Sequence, residues 1–457
     1  MRRGTKHLRA QPHIHTSLWR LAAFSSPMVG VQAFEIAWRV YLPAYIATAY
    51  GLSLAATGFL IMALRLFDSV IDPVIAWASD RFPTRFGHRR PWMAAGLVPV
   101  LIGIPGVFFG WPGSSIISLA AFSLLAHLGY MMLVTPHGGW ALELGADPAA
   151  RLRIIAAKTW FGIAGAILVP IVPALLERGF GIGREGQVAA LGVLIMLFLP
   201  FAVLLVLTNI AEPRLQSADV AQAANPLRLF ARILRTPAML PVLLLYLCSG
   251  FAEAAASAVF LFFIDDALGL KGWGSTLIVV QAVLALATLP FWSAVSERIG
   301  RRRLLMTGYG WNAAMALAAL AIPAASLGGA VAFVVLRGLF AGIDFLFLRA
   351  IVAGMVRASA DAGVRNGASF YAVSNITLKF AFGIGAFASL SLIGLLPASW
   401  VAAGMDDGAA VRLSYALPSG MAGLLALLIL WRCYDADGSG EPEVRASPDR
   451  SGPAFIG

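Results

Sequence analysis

Acidic residues and lysine are scarce in this 457-residue chain. Asp and Glu together number 23, and Lys6, Lys158, Lys271 and Lys379 are the only lysines, so 30 of the 34 basic residues are arginine. Charged residues make up 12% of the chain, against about a quarter in an ordinary soluble domain, which argues against a solvent-covered globular protein. The two cysteines, Cys248 and Cys433, fall in separate apolar stretches, which excludes a disulfide framework and any paired-cysteine metal or redox motif. No cleavable signal is expected, because the basic opening MRRGTKHLRAQPHIHT runs into an apolar stretch longer than a signal core. The net charge of +11 could suit nucleic acid, but the arginines sit in short loops between apolar runs. That is the pattern of cytoplasmic loops in a membrane protein, so no nucleic-acid partner is expected. The excess of arginine over lysine fits a GC-rich bacterial genome.

What is abundant is apolar sequence. Hydrophobic residues are 59% of the chain and the mean hydropathy is +0.81. Runs of about 20 apolar residues are long enough to cross a bilayer as helices. They lack the period-2 alternation of barrel strands, so the expected class is an all-α membrane protein. Twelve spans are predicted, near 20–48, 52–79, 92–110, 114–137, 154–177, 187–210, 239–264, 274–295, 303–323, 328–356, 367–396 and 411–433. They divide the chain into a basic N-terminus (1–16), a six-helix half (17–210), a polar link (211–238), a second six-helix half (239–433) and a Gly-, Pro- and Ser-rich tail (434–457) expected to be disordered.

Loop charge sets the expected orientation. The N-terminus, the link and the loops after spans 2, 4, 8 and 10 are rich in arginine, whereas the opposite loops carry acids such as Asp265 and Asp406. Both termini are therefore expected in the cytoplasm of a bacterial inner-membrane protein, with the lipid bilayer as its surroundings and a monomer as its state. The two halves also repeat a sequence. PVIAWASDR (73–81) matches PFWSAVSER (290–298), and Gly87 with Arg89 and Arg90 matches Gly300 with Arg301 and Arg302. Two related six-span halves form a transporter architecture that holds substrate between them near the midplane.

Ionisable residues inside the spans carry the chemistry. Asp68 and Asp72 are four residues apart in span 2, with Arg65 on the same helical stripe. Carboxylates at membrane depth are costly, and they face internal cavities where they bind or move an ion. Glu35 and Arg39 are likewise four apart in span 1: a substrate contact or a neutralising pair. Lys158 either reaches substrate or snorkels to the surface. Glu253, Asp344, Arg349 and Asn375 are further cavity candidates, with helix–helix hydrogen bonds as the alternative. His127 and His137 could carry protons near neutral pH, and His137, next to Pro136, is read as a packing or loop contact.

The string formed by Arg65, Asp68, Asp72-Pro73, Asp80-Arg81, Gly87 and Arg89-Arg90-Pro91-Trp92 resembles the glycoside–pentoside–hexuronide cation symporters, the melibiose permease-like family of the major facilitator superfamily. Pro136, Glu143-Leu144, Asp147, Arg151 and Arg153 extend the likeness, as do Glu212-Pro213-Arg214, Gly363, Arg365, Gly367 and Lys379. The resemblance implies a major facilitator fold of twelve helices in two pseudo-symmetric halves. It implies a coupling-cation site at Asp68 and Asp72 with Lys379 beside it; the two aspartates are metal ligands only if the ion is sodium. The gate would be built from Arg65, Asp80, Arg81, Arg89, Arg90, Glu143 and Arg151, with Glu297 and Arg298 as the second-half counterparts. Gln32, Glu35, Arg39, Lys158 and Asn375 are the substrate-binding candidates. Gln32 and Val134 replace acids of melibiose permease, which suits a proton or a weak sodium site.

The implied activity is cation-coupled symport of a sugar or glycoside by alternating access. No cofactor is implied besides the coupling ion, sodium or a proton. A lysolipid or other amphiphile is the alternative cargo on the same fold. A membrane prenyltransferase would need a second acidic cluster like that of span 2, which the sequence lacks, and a static sensor has no use for charged gates in both halves.

Overall fold

The computed structural model describes residues 17–82, 84–110, 115–144, 148–212, 239–361, 367–395, 407–435 and 443–444. The described chain is helical apart from a two-residue antiparallel ladder, β1 (Tyr434–Asp435) with β2 (Glu443–Val444). The first helices are α1 (Leu18–Ser25), α2 (Pro27–Ile36) and α3 (Leu42–Ala49), with a π-helical turn at Ala37–Tyr41 between the last two. Then come α4 (Leu54–Arg81), α5 (Arg90–Phe108), α6 (Ile116–Glu143), α7 (Pro148–Phe180) and α8 (Arg184–Asn209). The remainder are α9 (Met239–Phe262), continued by a π-helical turn at Phe263–Ala267, α10 (Gly274–Ile299), α11 (Arg301–Ala318), α12 (Leu327–Gly338), α13 (Ile343–Asp361), α14 (Gly367–Leu395) and α15 (Asp407–Cys433). The N-terminal 16 residues, the link from 213, Asp147, Gly363, Arg365, most of the tail and the side chain of Arg151 lie outside the described residues.

Eleven of the described helices are long and apolar enough to cross a bilayer, with α12 and α13 counted as one span. They coincide with expected spans 2 to 12. The first expected span is instead a series of short pieces, α1, α2, the π turn and α3. Pro27 and Pro43 stand at the starts of α2 and α3, where a missing amide hydrogen costs least. Elsewhere the ends are set by side chains. Ser115 and Ser118 form a reciprocal capping box at α6, and Ser326 accepts the amide of Gly329 at α12. The apolar faces of the long helices are exposed, as at Leu197, Phe201 and Leu204 of α8, the pattern of surface meant for lipid.

The chain forms two compact units. One comprises residues up to 35, 70–169 and 189–223; the other comprises 36–69, 170–188 and the chain from 224 onward. In the first unit α5 and α6 meet along a glycine seam. A Cβ on Gly103 would lie 2.5 Å from the Ala126 amide nitrogen, and one on Gly129 would lie 2.6 Å from the Gly96 carbonyl. Small residues let helix backbones approach where lipid provides no hydrophobic drive for association. In the second unit α9 packs against α14 and α15, over a core that includes Tyr246, Leu305, Tyr309, Phe347 and Val352.

Candidate functional site

The charged stripe of α4 is placed by how the first part of that helix packs on α14 inside the second unit. A Cβ on Gly58 would lie 3.0 Å from Phe387 Cα, and one on Gly383 would lie 3.1 Å from Arg65 Cβ and 3.3 Å from Met62 Cα. The two helices run antiparallel, so each four-residue step forward on α4 meets a four-residue step back on α14. One more step brings Lys379 to the level of Leu66–Ser69, the turn of α4 that contains Asp68. Asp68 is fully buried, with Arg65 Nη1 3.5 Å from its Oδ2. In the same unit Arg39 lies 6.0 Å from the centre of the Phe382 ring, beside the Gly383 contact. Asn375, one turn before Lys379, is exposed.

The first unit holds the other candidates. Asp72 accepts the hydroxyl hydrogen of Thr135, the residue before Pro136 on α6. Glu35 accepts the hydroxyl of Tyr130 at 2.9 Å, and that ring stacks on Phe34 at 4.2 Å. The side chain of Gln32 rests on Gly165 of α7, 3.1 Å from where a Cβ would be. Nearer the start of α7, Lys158 Nζ donates to the His137 carbonyl at 3.3 Å and lies 5.9 Å from the Phe24 ring. His137 in turn bonds the Phe24 carbonyl at 2.8 Å, so it ties α6 to α1. Glu35 thus meets Tyr130, and Arg39 meets Phe382; the π-helical turn containing Arg39 shifts the angular phase that simple four-residue spacing assumes.

The arginine-rich loop between α4 and α5 is a closed electrostatic cluster within the first unit. Arg89 reaches Asp80 at 2.5 Å, Glu143 at 2.7 Å and the Ser79 hydroxyl at 2.8 Å. His88 bridges Glu143 at 3.1 Å and Glu212 at 2.6 Å. Glu212 also accepts three successive backbone amides, those of His88, Arg89 and Arg90, at 2.9, 2.7 and 3.2 Å. Its carboxylate therefore occupies the anion site at the start of α5. Gly87 is required beside it: its φ is +115° and a Cβ there would overlap Glu212 Oε2. Burial lowers the pKa of His88, but the hydrogen bonds and charges of Glu143 and Glu212 outweigh it and raise the value to about 9. The two carboxylates are raised by burial and lowered further by His88, by the Arg89 side chain at Glu143 and by the backbone amides at Glu212, ending below the ordinary glutamate value. Arg81 lies over Trp77 at 5.8 Å.

The second half repeats part of this arrangement. Arg90 donates to the Leu207 carbonyl near the end of α8, and Arg302 donates to the Leu430 carbonyl near the end of α15 at 3.4 Å. Gly300, like Gly87, has a positive φ, here +86°. Glu297 and Arg298 are exposed at the end of α10.

A third set of contacts occupies the loops after α7 and α9, which the alternation of spans places opposite the arginine loops. Arg184 pairs with Asp265 at 2.8 Å. Glu177 accepts the Ser275 amide at 3.1 Å, and the Ser275 hydroxyl donates to Gln187 at 3.1 Å. These lie within the second unit and tie first-half segments to second-half helices.

Residues 23–437 match the family model described as MFS/sugar transport protein. The chain belongs to that family. This makes it a multi-pass membrane transporter of the major facilitator superfamily rather than an enzyme. Among relatives, it is 25% identical over 321 residues to the glucuronide carrier protein homolog of Escherichia coli strain K12, covering 66% of this chain and 69% of that one. It is 27% identical over 166 residues to an uncharacterized symporter of Synechocystis, where the match covers 34% of this chain and only 30% of the relative. Among solved structures, a D-xylose-proton symporter superposes with a TM-score of 0.65 at 16% identity, over 91% of this chain and 97% of that one, which fixes the fold as a major facilitator fold. In this family member, sequence reasoning passed over His88, Thr135, Tyr130 and Ser79. The signal for His88 was available: it lies between the loop glycine and the first amides of α5, where an anion and its counter-charge gather.

Proposed function

We propose that the chain is a cation-coupled symporter of a sugar or glycoside in a bacterial inner membrane, working by alternating access. The observation that supports the reading is the packing of α4 on α14, by which Lys379 would stand near the turn of α4 that holds the buried Asp68. A lysine and a carboxylate at membrane depth neutralise one another, and a cation arriving at the carboxylates competes with the lysine. Asp68 and Asp72, on one stripe of α4, are the coupling-cation residues in this reading, and Lys379 is their internal competitor. Binding the ion frees the lysine to reorganise α14, and reciprocity requires substrate to tighten the ion by the same factor. Gln32, Glu35 and Lys158 of the first unit are the substrate contacts in this reading, and Arg39 and Asn375 are those of the second. The Arg184–Asp265 and Glu177–Ser275 contacts form the gate away from the arginine loops, and the Asp80–His88–Arg89–Glu143–Glu212 cluster stiffens the first half at the arginine-rich end. The relatives support sugar or glycoside cargo through their names alone.

The test is thermal stabilisation of purified protein by a panel of glycosides, pentosides, uronates and lysolipids, each with and without sodium at two pH values. Ligands that bind only the folded state raise its melting temperature. Stabilisation by a sugar, deepened by sodium or by acidification, supports the reading and names the ion. Stabilisation by lysolipids alone overturns the sugar assignment.

A further inference from the structure

The tenth span is broken. α12 ends at Gly338, residues 339–342 form a turn in which Gly342 has a φ of +79°, and α13 begins at Ile343. Non-helical backbone at membrane depth persists where it lines a cavity, and broken spans carry the ion sites of many transporters. This turn does line one. Ala341 and Gly342 face a cavity of about 50 Å³ within the second unit, together with Ser249 and Glu253 of α9, Asn312 of α11, Arg337 of α12, Asp344 of α13, and Tyr415 and Ser419 of α15.

The charged groups lining it do not balance. Glu253, Asp344 and Arg337 are the ionisable acids and base of the lining, two negative against one positive. Arg337 is engaged by Glu253 at 3.5 Å, by the Gln281 side chain of α10 at 3.3 Å, and by the face of Tyr415 at 5.7 Å. Asp344 is buried, only 8% exposed, with the Ser249 hydroxyl and the like charge of Glu253 as its side-chain neighbours. Ser249 continues to the Tyr309 hydroxyl at 2.7 Å, which extends a hydroxyl chain into α11. The Tyr415 hydroxyl is buried and lacks a hydrogen-bond partner among the described residues. A buried orphan hydroxyl beside a polar void marks a place for water or a ligand.

Size decides which ligand. A single water needs about 10–15 Å³ of such space, so the cavity of about 50 Å³ holds on the order of three to five waters. We infer that this cavity is a second protonation site, in which Asp344 takes up one proton through water held against Ser249 and Tyr415. The carboxylate gains an O–H bond, the cavity water passes on a proton drawn from bulk, and the lining becomes neutral. The site is independent of the Asp68–Asp72 reading, since it uses no residue of α4.

The test is infrared difference spectroscopy of the purified full-length protein, titrated from about pH 5 to pH 9, a range in which buried carboxyls can titrate. The expected result is a carboxylic C=O band that titrates in the native protein and in the Asp68→Asn/Asp72→Asn double variant, and is lost in Asp344→Asn. Ser249→Ala and Glu253→Gln should each move its midpoint, which keeps the inference testable if Asp344→Asn does not fold. Absence of a titrating band in the native protein, its survival in Asp344→Asn, or unmoved midpoints in both other variants overturns the assignment. Loss of the band on adding sodium at constant pH also overturns it, in favour of a sodium site. Loss of coupled transport in the double variant with this band intact separates the two ion sites.

Discussion

His88 is a fixed positive charge at neutral pH, and its removal by alkali gives a quantitative prediction. In the folded protein its pKa is raised to about 9 from an ordinary 6.5. At about 1.4 kcal/mol per tenfold, that gap corresponds to about 3 kcal/mol of stability. The residue is 3% exposed, so solvent screening removes little of it. Its raised value means the contribution is complete below about 6.5, declines as pH rises, and is gone above about 9. Glu143 and Glu212 are lowered, so their contribution is present above the ordinary glutamate value of 4.5 and lost as pH falls through their folded values. The three share the same contacts, so these are not separate sums. The window of greatest stability from this cluster is therefore about pH 4.5 to 6.5. His88→Gln keeps a hydrogen-bond donor and cannot take the charge. The melting temperature of the native protein minus that of His88→Gln should be positive near pH 6 and shrink by about 3–6 °C by about pH 10. A difference that stays flat across that range refutes the doubly bridged imidazolium.

Close contacts give the other predictions. Gly87→Ala drives a methyl group into Glu212 Oε2 at a φ of +115°; it should cost about 3–5 kcal/mol through strain and a displaced carboxylate, read as a fall in melting temperature. Gly103→Val should force α5 from α6, because even a Cβ lies 2.5 Å from the Ala126 nitrogen. The expected result is little monodisperse protein on gel filtration, whereas Val98→Ala, at an exposed position of the same helix, should leave the yield unchanged; normal recovery of Gly103→Val contradicts the close seam. Asp265→Asn breaks the half-buried pair with Arg184 and should shift the gate equilibrium about tenfold toward opening. In a background without Cys248 and Cys433, an impermeant maleimide should then label Gln187→Cys faster; an unchanged labelling rate removes that pair from the gate.

The fold was legible because lipid demands long apolar runs, and the ends of α4 to α11 fall close to the expected spans. The breaks were less legible. The run 328–356 reads as one span by hydropathy, and only Gly338 and Gly342 hint that α12 and α13 are separate. The first span hid its π turn, since Ala37–Tyr41 is as apolar around Arg39 as any helix. At the candidate site, the helical stripe of Arg65, Asp68 and Asp72 could be read from spacing, because one helix determines it. The partners could not: Thr135 at Asp72, Tyr130 at Glu35 and Phe382 at Arg39 depend on which helices pack together. Glu212 was visible as part of a motif, yet its hold on three amides needs the fold to bring the end of α8 to the start of α5.

The central claim is that Asp68 and Asp72 couple an ion gradient to sugar movement. The most direct measurement is uptake of the stabilising sugar into proteoliposomes with an imposed sodium or proton gradient, alongside sugar exchange without a gradient. The account predicts that Asp68→Asn and Asp72→Asn each lose gradient-driven accumulation while exchange continues. Full accumulation by both variants contradicts it.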